Sequence, residues 1–180
     1  MPKDMNTLLK GLDTTDYFKK RKICILCEKK LHKSQVSCNE CSKKDKKYIA
    51  RIFDTDIYAL LSNIVSRHYS DIDEYKKLIL NPDPQTTYDI PLGKVYQHLL
   101  RQHPNENSLT LLLHVNRISV VKSTNLKLWI CDANLIELPS IYRNLRSNMF
   151  LVSMYIGYSE PNVKAWLKSS FANINSLKTT

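Results

Sequence analysis

Four of the five cysteines stand in two close pairs, Cys24 with Cys27 and Cys38 with Cys41, and ten residues separate the pairs. Each CxxC pair can form a tight turn, here called a knuckle, that directs two thiolates toward one point. Two knuckles together supply the four ligands of a closed tetrahedral zinc site. Redox chemistry needs only one such pair, so the duplication favours metal binding. A closed site has no open coordination position, and we therefore expect the zinc to fold a small module without catalysing a reaction.

Positive charge is concentrated around these cysteines. Twelve basic and three acidic residues between positions 19 and 51 give this window a charge of +9, out of +10 for the whole chain. Such one-sided charge is typical of a surface that binds a polyanion, and we expect this polyanion to be DNA. The residues nominated for nucleic-acid contact are Lys19, Lys20, Arg21, Lys22, Lys29, Lys30, Lys33, Lys43, Lys44, Lys46 and Lys47. A solvated linker or a nuclear-import signal is the alternative reading, and an import signal predicts a nuclear protein.

Several other residues with reactive or aromatic side chains are interpreted as packing or surface residues. Cys131 lies alone in an apolar run and is predicted to be buried. Trp129 and Trp166 are likewise predicted to be core residues. His32, between the knuckles, and His68 have no partner spacing that indicates a metal ligand or a catalytic pair, so both are predicted at the surface.

The composition argues against several functional classes. Only three glycines occur, and neither GxGxxG nor GxxxxGK[ST] is present, so no nucleotide-binding loop or small-molecule substrate is expected. No window approaches the ~18 consecutive apolar residues of a membrane span. The first residues lack the apolar run of a secretory signal. We therefore expect an intracellular protein with reduced cysteines and no membrane association.

Periodicity predicts helices in the middle of the chain and strands after it. Four helices are predicted. The first starts at Asp54 or Thr55, the second starts at Asp71, the third covers 92–100, and the fourth follows Ser159-Glu160-Pro161. The predicted strands cover 109–115, 118–121, 126–138 and 148–156. The expected fold is α+β.

A series of short motifs in the second half resembles a known family. In chain order they are Gly93-Lys94-Val95-Tyr96, Ser108-Leu109-Thr110-Leu111-Leu112-Leu113-His114-Val115-Asn116, Val121-Lys122-Ser123-Thr124, Leu128-Trp129-Ile130, Ile136-Glu137-Leu138-Pro139, Asn148-Met149-Phe150-Leu151-Val152 and Glu160-Pro161-Asn162-Val163. Their order, behind a cysteine-rich ribbon, is similar to the opening of the catalytic domain in CACTA-like transposase-domain proteins. The resemblance covers roughly residues 22–175.

The resemblance implies an RNase H-like fold whose acidic residues hold two divalent metals for strand cleavage. The family's first catalytic aspartate aligns with Asn116, whose neutral amide is a weaker ligand for Mg²⁺. The positive charge of the neighbouring Arg117 repels a metal cation at this position. The strand that would carry the next acidic position lies beyond residue 180. We therefore expect no catalytic residues and no enzymatic activity. Asp89, Asp132 and Glu137 are expected to be structural or surface residues, although a nuclease that uses Asp132 or Glu137 is a further alternative.

These inferences define a predicted organisation. An N-terminal tail covers 1–20, a four-cysteine zinc-ribbon module 21–50, a helical linker 51–107, and a truncated RNase H-like domain of three antiparallel strands and a C-terminal helix 108–180. The missing strand would leave residues 108–115 as an open apolar edge that pairs with a second copy, with a partner, or with residues 81–107. The leading hypothesis is a catalytically inactive, transposase-derived DNA-binding protein. The alternative is a protein-interaction module that docks on a related transposase or a chromatin partner.

Overall fold

The computed structural model describes residues 18–41, 45–81, 89–102, 108–118 and 125–177, which contain six strands and five helices. The strands are β1 (Lys19–Cys24), β2 (Lys30–Leu31), β3 (Ile49–Asp54), β4 (Leu111–Ile118), β5 (Lys127–Leu135) and β6 (Phe150–Gly157). The helices are α1 (Ile57–Arg67), α2 (Tyr69–Leu80), α3 (Lys94–Gln102), α4 (Ser140–Arg143) and α5 (Val163–Ser176). In these ranges no helix is long and apolar enough to cross a membrane.

All six strands form one antiparallel sheet in the order β2-β1-β3-β6-β5-β4. Strand β1 pairs with β3 over its full length, from Lys19 opposite Asp54 to Cys24 opposite Ile49. Strand β3 pairs in turn with β6, with Asp54 opposite Ser153. The α+β prediction is confirmed. The predicted strands 109–115, 126–138 and 148–156 correspond to β4, β5 and β6, whereas the predicted strand 118–121 lies outside the described residues except for Ile118. The sheet also includes the strands that flank the cysteines.

Strands β1, β2 and β3 were not predicted from the sequence, and of these β3 joins the cysteine-bearing strand β1 to β6. Ile52 and Phe53 are adjacent in this strand and both are buried. A strand that is covered on both faces loses the alternation of polar and apolar residues by which single strands are recognised. The predicted boundary at 50/51 falls inside this strand, while the division of the chain into domains stays a prediction.

The predicted helices are present, with shifted starts. Helix α1 starts at Ile57, shortly after the predicted cap at Asp54 or Thr55, and α2 starts at Tyr69, two residues before the predicted cap at Asp71. Helix α5 starts after Asn162, whose side-chain oxygen accepts hydrogen bonds from the N–H groups of Lys164 and Ala165. Asn162 therefore caps this helix, because its amide oxygen satisfies two N–H groups that have no partner within the helix.

The chain divides into two compact units. The first takes residues 1–58, 114–132 and 151–180, and the second takes 59–113 and 133–150. Buried residues of the first unit include Phe53, Leu128, Met154 and Ile156, and a separate cluster surrounds the cysteines. The second unit has two apolar clusters, centred on Ile72, Leu135 and Leu138 and on Ile79, Tyr96 and Ile136.

A buried carboxylate organises the first unit. Asp54, at the end of β3, is 1% exposed, and its Oδ2 accepts a hydrogen bond of 2.7 Å from Nε of Arg21 on β1. Its Oδ1 accepts hydrogen bonds from the hydroxyls of Ser153 on β6, at 2.7 Å, and of Ser170 on α5, at 3.3 Å. Trp166 closes the network, because its indole N–H donates to Ser153 and its carbonyl accepts from Arg21. Three strands and one helix are thus held by one side chain.

We expect Asp54→Asn to destabilise the first unit by about 3 kcal/mol, because it leaves the guanidinium of Arg21 without its counter-charge in a buried site. Urea unfolding followed by circular dichroism measures the loss. Asp73→Asn is the matched control, since Asp73 forms an exposed ion pair with Lys77 on α2 and its loss costs about 0.5 kcal/mol or less. Equal effects of the two substitutions would contradict the structural role of Asp54.

Candidate metal centre and its basic surround

The first knuckle follows directly from β1, which ends at Cys24. The N–H of Glu28 donates to the carbonyl of Cys24 at 2.8 Å, and the N–H of Cys24 donates to the carbonyl of Lys29 at 3.0 Å. The N–H of Lys29 also donates to the sulfur of Cys27. To make this turn Glu28 adopts a φ of 60°, the left-handed region that favours glycine. The side-chain amide of Asn162, the cap of α5, donates to the carboxylate of Glu28, so the knuckle is tied to that helix.

The second knuckle is arranged by hydrogen bonds to sulfur. The N–H groups of Glu40 and Cys41 donate to the sulfur of Cys38, and with burial opposing them these bonds lower the pKa of the Cys38 thiol to about 7. The loop that leads to this knuckle is held by Lys22, whose ammonium donates to the carbonyls of Lys33 and Gln35. The lowered pKa favours the thiolate of Cys38, which is the form that binds a metal ion.

The four sulfur atoms converge on one point. Sγ of Cys24 lies 3.6 Å from Sγ of Cys41, Sγ of Cys27 lies 3.7 Å from Sγ of Cys38, and all four lie within 4.8 Å of one another. A tetrahedron with metal–sulfur bonds of about 2.3 Å has edges of about 3.8 Å, which these separations approach. A disulfide requires about 2.05 Å, so the cysteines are free thiols. The four cysteines could therefore hold a metal ion.

The negative charge of the four thiolates would also be stabilised by a cation. Hydrogen bonds with the thiols of Cys27 and Cys24 raise the pKa of Cys41 to about 12 by stabilising its protonated form, and burial and the negative charge of Cys24 act in the same direction. A divalent cation at the centre removes this repulsion and lets all four ligands bind as thiolates. Among the described residues this is the one group of three or more Cys, His, Asp or Glu side chains with such geometry.

Cys131, the two tryptophans, His32 and His68 are not members of the four-cysteine group. Cys131 is fully buried on β5, and Trp166 is fully buried on α5, as predicted. Trp129 is only half-buried. His32 is exposed and bonds to Ser34 through Nδ1, so it is a surface residue as predicted. The surface assignment of His68 is wrong, because it is half-buried and its two ring nitrogens contact Asp71 and Asn148.

Most of the nominated basic residues lie on the surface of the first unit. Ile25 of the first knuckle donates its N–H to the carbonyl of Tyr48, at 2.9 Å, and this bond places the 3-10 turn Lys46–Tyr48 beside the knuckle. Two more lysines follow the knuckle directly. Together the exposed lysines next to the cysteines are called the basic surround: Lys29, Lys30, Lys33, Lys46 and Lys47. Lys19 is also exposed at the start of β1, whereas Lys20 is half-buried, and Lys43 and Lys44 lie outside the described residues.

Two nominated residues serve the fold. The side chain of Arg21 is only 12% exposed and its guanidinium is bound to Asp54. Lys22 is occupied by the loop between the knuckles. Lys29 pairs with Glu40, but both side chains are more than half exposed, so this ion pair is weak and reorganises easily. Among the nominated residues that the structure describes, the exposed cations are those of the basic surround and Lys19, and Lys47 also forms an exposed ion pair with Asp45.

The predicted carboxylates are distributed through the fold. The carboxylate of Asp89 forms a two-pronged ion pair with Arg143, at 2.7 and 2.8 Å; although burial opposes ionisation, this pair holds the pKa of Asp89 below its usual range. Glu137 is fully buried and accepts hydrogen bonds from the hydroxyl of Tyr96 and the N–H of Thr110. Asp132 is half-buried on β5, and Asn116 is exposed on β4.

No protein-family model, curated protein or solved structure matches this chain.

We expect the purified protein to contain one zinc ion per chain, and Cys24→Ser to lower this to nearly none, because three sulfurs do not close the tetrahedron. Elemental analysis measures the metal. Cys131→Ala, which removes the buried thiol of β5, is the control and should keep the full amount. Acidification should release the metal, since protons compete for the thiolates. A folded wild-type protein without stoichiometric metal would contradict the assignment.

Proposed function

We propose that this chain is a transposase-derived nuclear protein that binds zinc through Cys24, Cys27, Cys38 and Cys41 and binds DNA through the basic surround. It acts by binding and not by catalysis. The observation that carries the proposal is the position of five exposed lysines around a preorganised four-sulfur cluster. The zinc holds the knuckles, and the knuckles hold the lysines in place.

Zinc is supported by the donor set. Four thiolates in a tetrahedral arrangement suit zinc, whereas magnesium and calcium prefer oxygen ligands. The knuckle N–H groups that donate to Cys27 and Cys38 stabilise the thiolate form that zinc needs. A closed site of this kind supplies folding free energy and no open position for a substrate.

DNA is supported by the type and exposure of the cations. Lysines present flexible point charges, which suit contacts to phosphates more than the reading of base edges. Each neutralised phosphate releases counterions, so affinity should be sensitive to salt and largely independent of sequence. The family resemblance, in which a cysteine-rich ribbon precedes a DNA-processing domain, points to the same ligand.

The absence of catalysis belongs to the proposal. In the resemblance Asn116 takes the place of the first catalytic aspartate of an RNase H-like domain, and Arg117 adds a positive charge beside it. Asp89 and Glu137 already have internal hydrogen-bond partners, which makes them poor candidates for metal ligands. Strands β4, β5 and β6 with helix α5 would be the retained part of that domain.

A second candidate function, a protein-interaction module, is favoured by strand β4. It is the last strand in the order of the sheet, and Val115 and Ile118 on it are about 40% exposed. A strand at a sheet edge can pair with a strand of a second copy or of another protein, such as a related transposase. Binding of this kind depends on main-chain hydrogen bonds and apolar contact, and it is insensitive to salt.

We expect the zinc-loaded protein to bind random duplex DNA, with an affinity that falls steeply between low and high salt. The triple variant Lys30→Gln, Lys46→Gln, Lys47→Gln should bind at least tenfold more weakly, and a plot of log affinity against log salt should lose about two to three units of slope. Fluorescence anisotropy with a labelled duplex measures both.

The matched control changes the same net charge elsewhere. Lys94→Gln, Lys164→Gln, Lys168→Gln neutralises three exposed lysines on α3 and α5 and should leave the affinity nearly unchanged. An equal loss in both triple variants would indicate general charge attraction and contradict a defined DNA-binding surface. Capture of a protein that survives high salt, without DNA binding, would favour the interaction module.

A further inference from the structure

A groove in the first unit lies at the start of β1, at the other end of that strand from Cys24. It has a volume of about 460 Å³, and it is lined by residues from the start of β1, the start of α1 and the last turn of α5. The lining residues that matter here are Phe18, Lys19, Asp56, Tyr58 and Asn173. Grooves of this size are in the range that accommodates small ligands or single groups of a larger one.

The groove offers an aromatic surface. Tyr58, at the start of α1, is 65% exposed, so most of its ring is accessible. Phe18 lies edge-on to the buried ring of Phe53, with ring centroids 6.1 Å apart and an interplanar angle of 84°. This contact fixes Phe18 as part of the wall. An accessible tyrosine ring in a groove is a surface on which a flat aromatic group can stack.

The groove carries one cation and one anion, Lys19 and Asp56, so its two sides differ in their affinity for a phosphate. Lys19 is exposed at the groove and belongs to the same strand as the basic residues that lead to the first knuckle. Asp56 also lines the groove and disfavours a phosphate on its own side, so a phosphate is directed toward Lys19. Asn173 on α5 is exposed and offers one donor and one acceptor group to the edge of a base.

We propose that this groove holds an unpaired nucleotide of a DNA strand, with its base on Tyr58 and its phosphate at Lys19. The proposal rests on the proposed function, because the duplex part of the same DNA would lie on the basic surround. Lys19 and Cys24 are five residues apart on an extended strand, or about 17 Å. This spacing corresponds to about five base pairs of duplex. The preferred ligand is therefore a duplex with a single-stranded extension.

The test compares a blunt duplex with the same duplex carrying a six-nucleotide single-stranded extension, by fluorescence anisotropy at one salt concentration. The wild type should bind the extended duplex about tenfold more tightly, and Tyr58→Ala should abolish this preference, since stacking on an aromatic side chain contributes on this scale. Tyr58→Phe keeps the ring and should keep the preference. Tyr69→Ala is the matched control, because Tyr69 on α2 is 66% exposed and lies in the second unit.

A second measurement locates the base directly. With 5-bromouracil in the extension, ultraviolet irradiation should crosslink the DNA to the peptide that contains Tyr58, and mass spectrometry identifies that peptide. The inference is overturned if the extension adds no affinity, if Tyr58→Ala retains the preference, or if the crosslink maps elsewhere. Binding of the blunt duplex that depends on Lys30, Lys46 and Lys47 without any preference for the extension contradicts the groove alone. A Tyr58-dependent extension effect without such duplex binding contradicts the proposed function alone.

Discussion

A carboxylate buried in a sheet must be neutralised where it lies, and in this protein Arg21 neutralises Asp54. The pair defines the register between β1 and β3, because a shift of one residue would turn Arg21 to the other face of the sheet. Ser153 and Ser170 also donate hydrogen bonds to the carboxylate, and the carbonyl of Trp166 accepts a second hydrogen bond from the guanidinium. Such a pair contributes more to a unique arrangement than to net stability, since desolvation offsets most of its attraction.

The register set by this pair determines where the cysteines lie. Once β1 is fixed on β3, Cys24 stands opposite Ile49, and the bond between Ile25 and Tyr48 places the preceding 3-10 turn beside the first knuckle. A zinc ion with four thiolates carries a net charge of −2, and the lysines of the basic surround lower its electrostatic cost. The same lysines are the proposed contacts for phosphates. In the proposed function the metal centre and the DNA would therefore compete for part of the same positive charge, which would moderate affinity and favour reversible binding.

The sequence predicted those features that local chemistry determines. The cysteine cluster could be predicted from the spacing of Cys24, Cys27, Cys38 and Cys41, because each knuckle is formed within four consecutive residues. The helices followed from periodicity, and the position of Cys131 followed from its apolar neighbours. The ion pair of Arg21 with Asp54 could not be predicted in this way. Arg21 lies in a run of four basic residues, and nothing in the sequence indicates which of them pairs with an acid 33 residues away. Strand β3 was missed because its burial on both faces removes the alternating pattern.

The contact between Glu28 and Asn162 has a consequence for how such a chain can be altered by recombination. The first knuckle supplies a hydrogen-bond partner to the residue that caps α5, and β1 supplies the counter-ion of Asp54. The cysteine-rich segment therefore cannot be replaced by another without affecting the rest of the first unit. A foreign cysteine-rich segment would have to supply a cation for Asp54 on β3 and a hydrogen-bond acceptor for Asn162 at the start of α5. Without the cation, Asp54 would be a buried anion with no counter-charge.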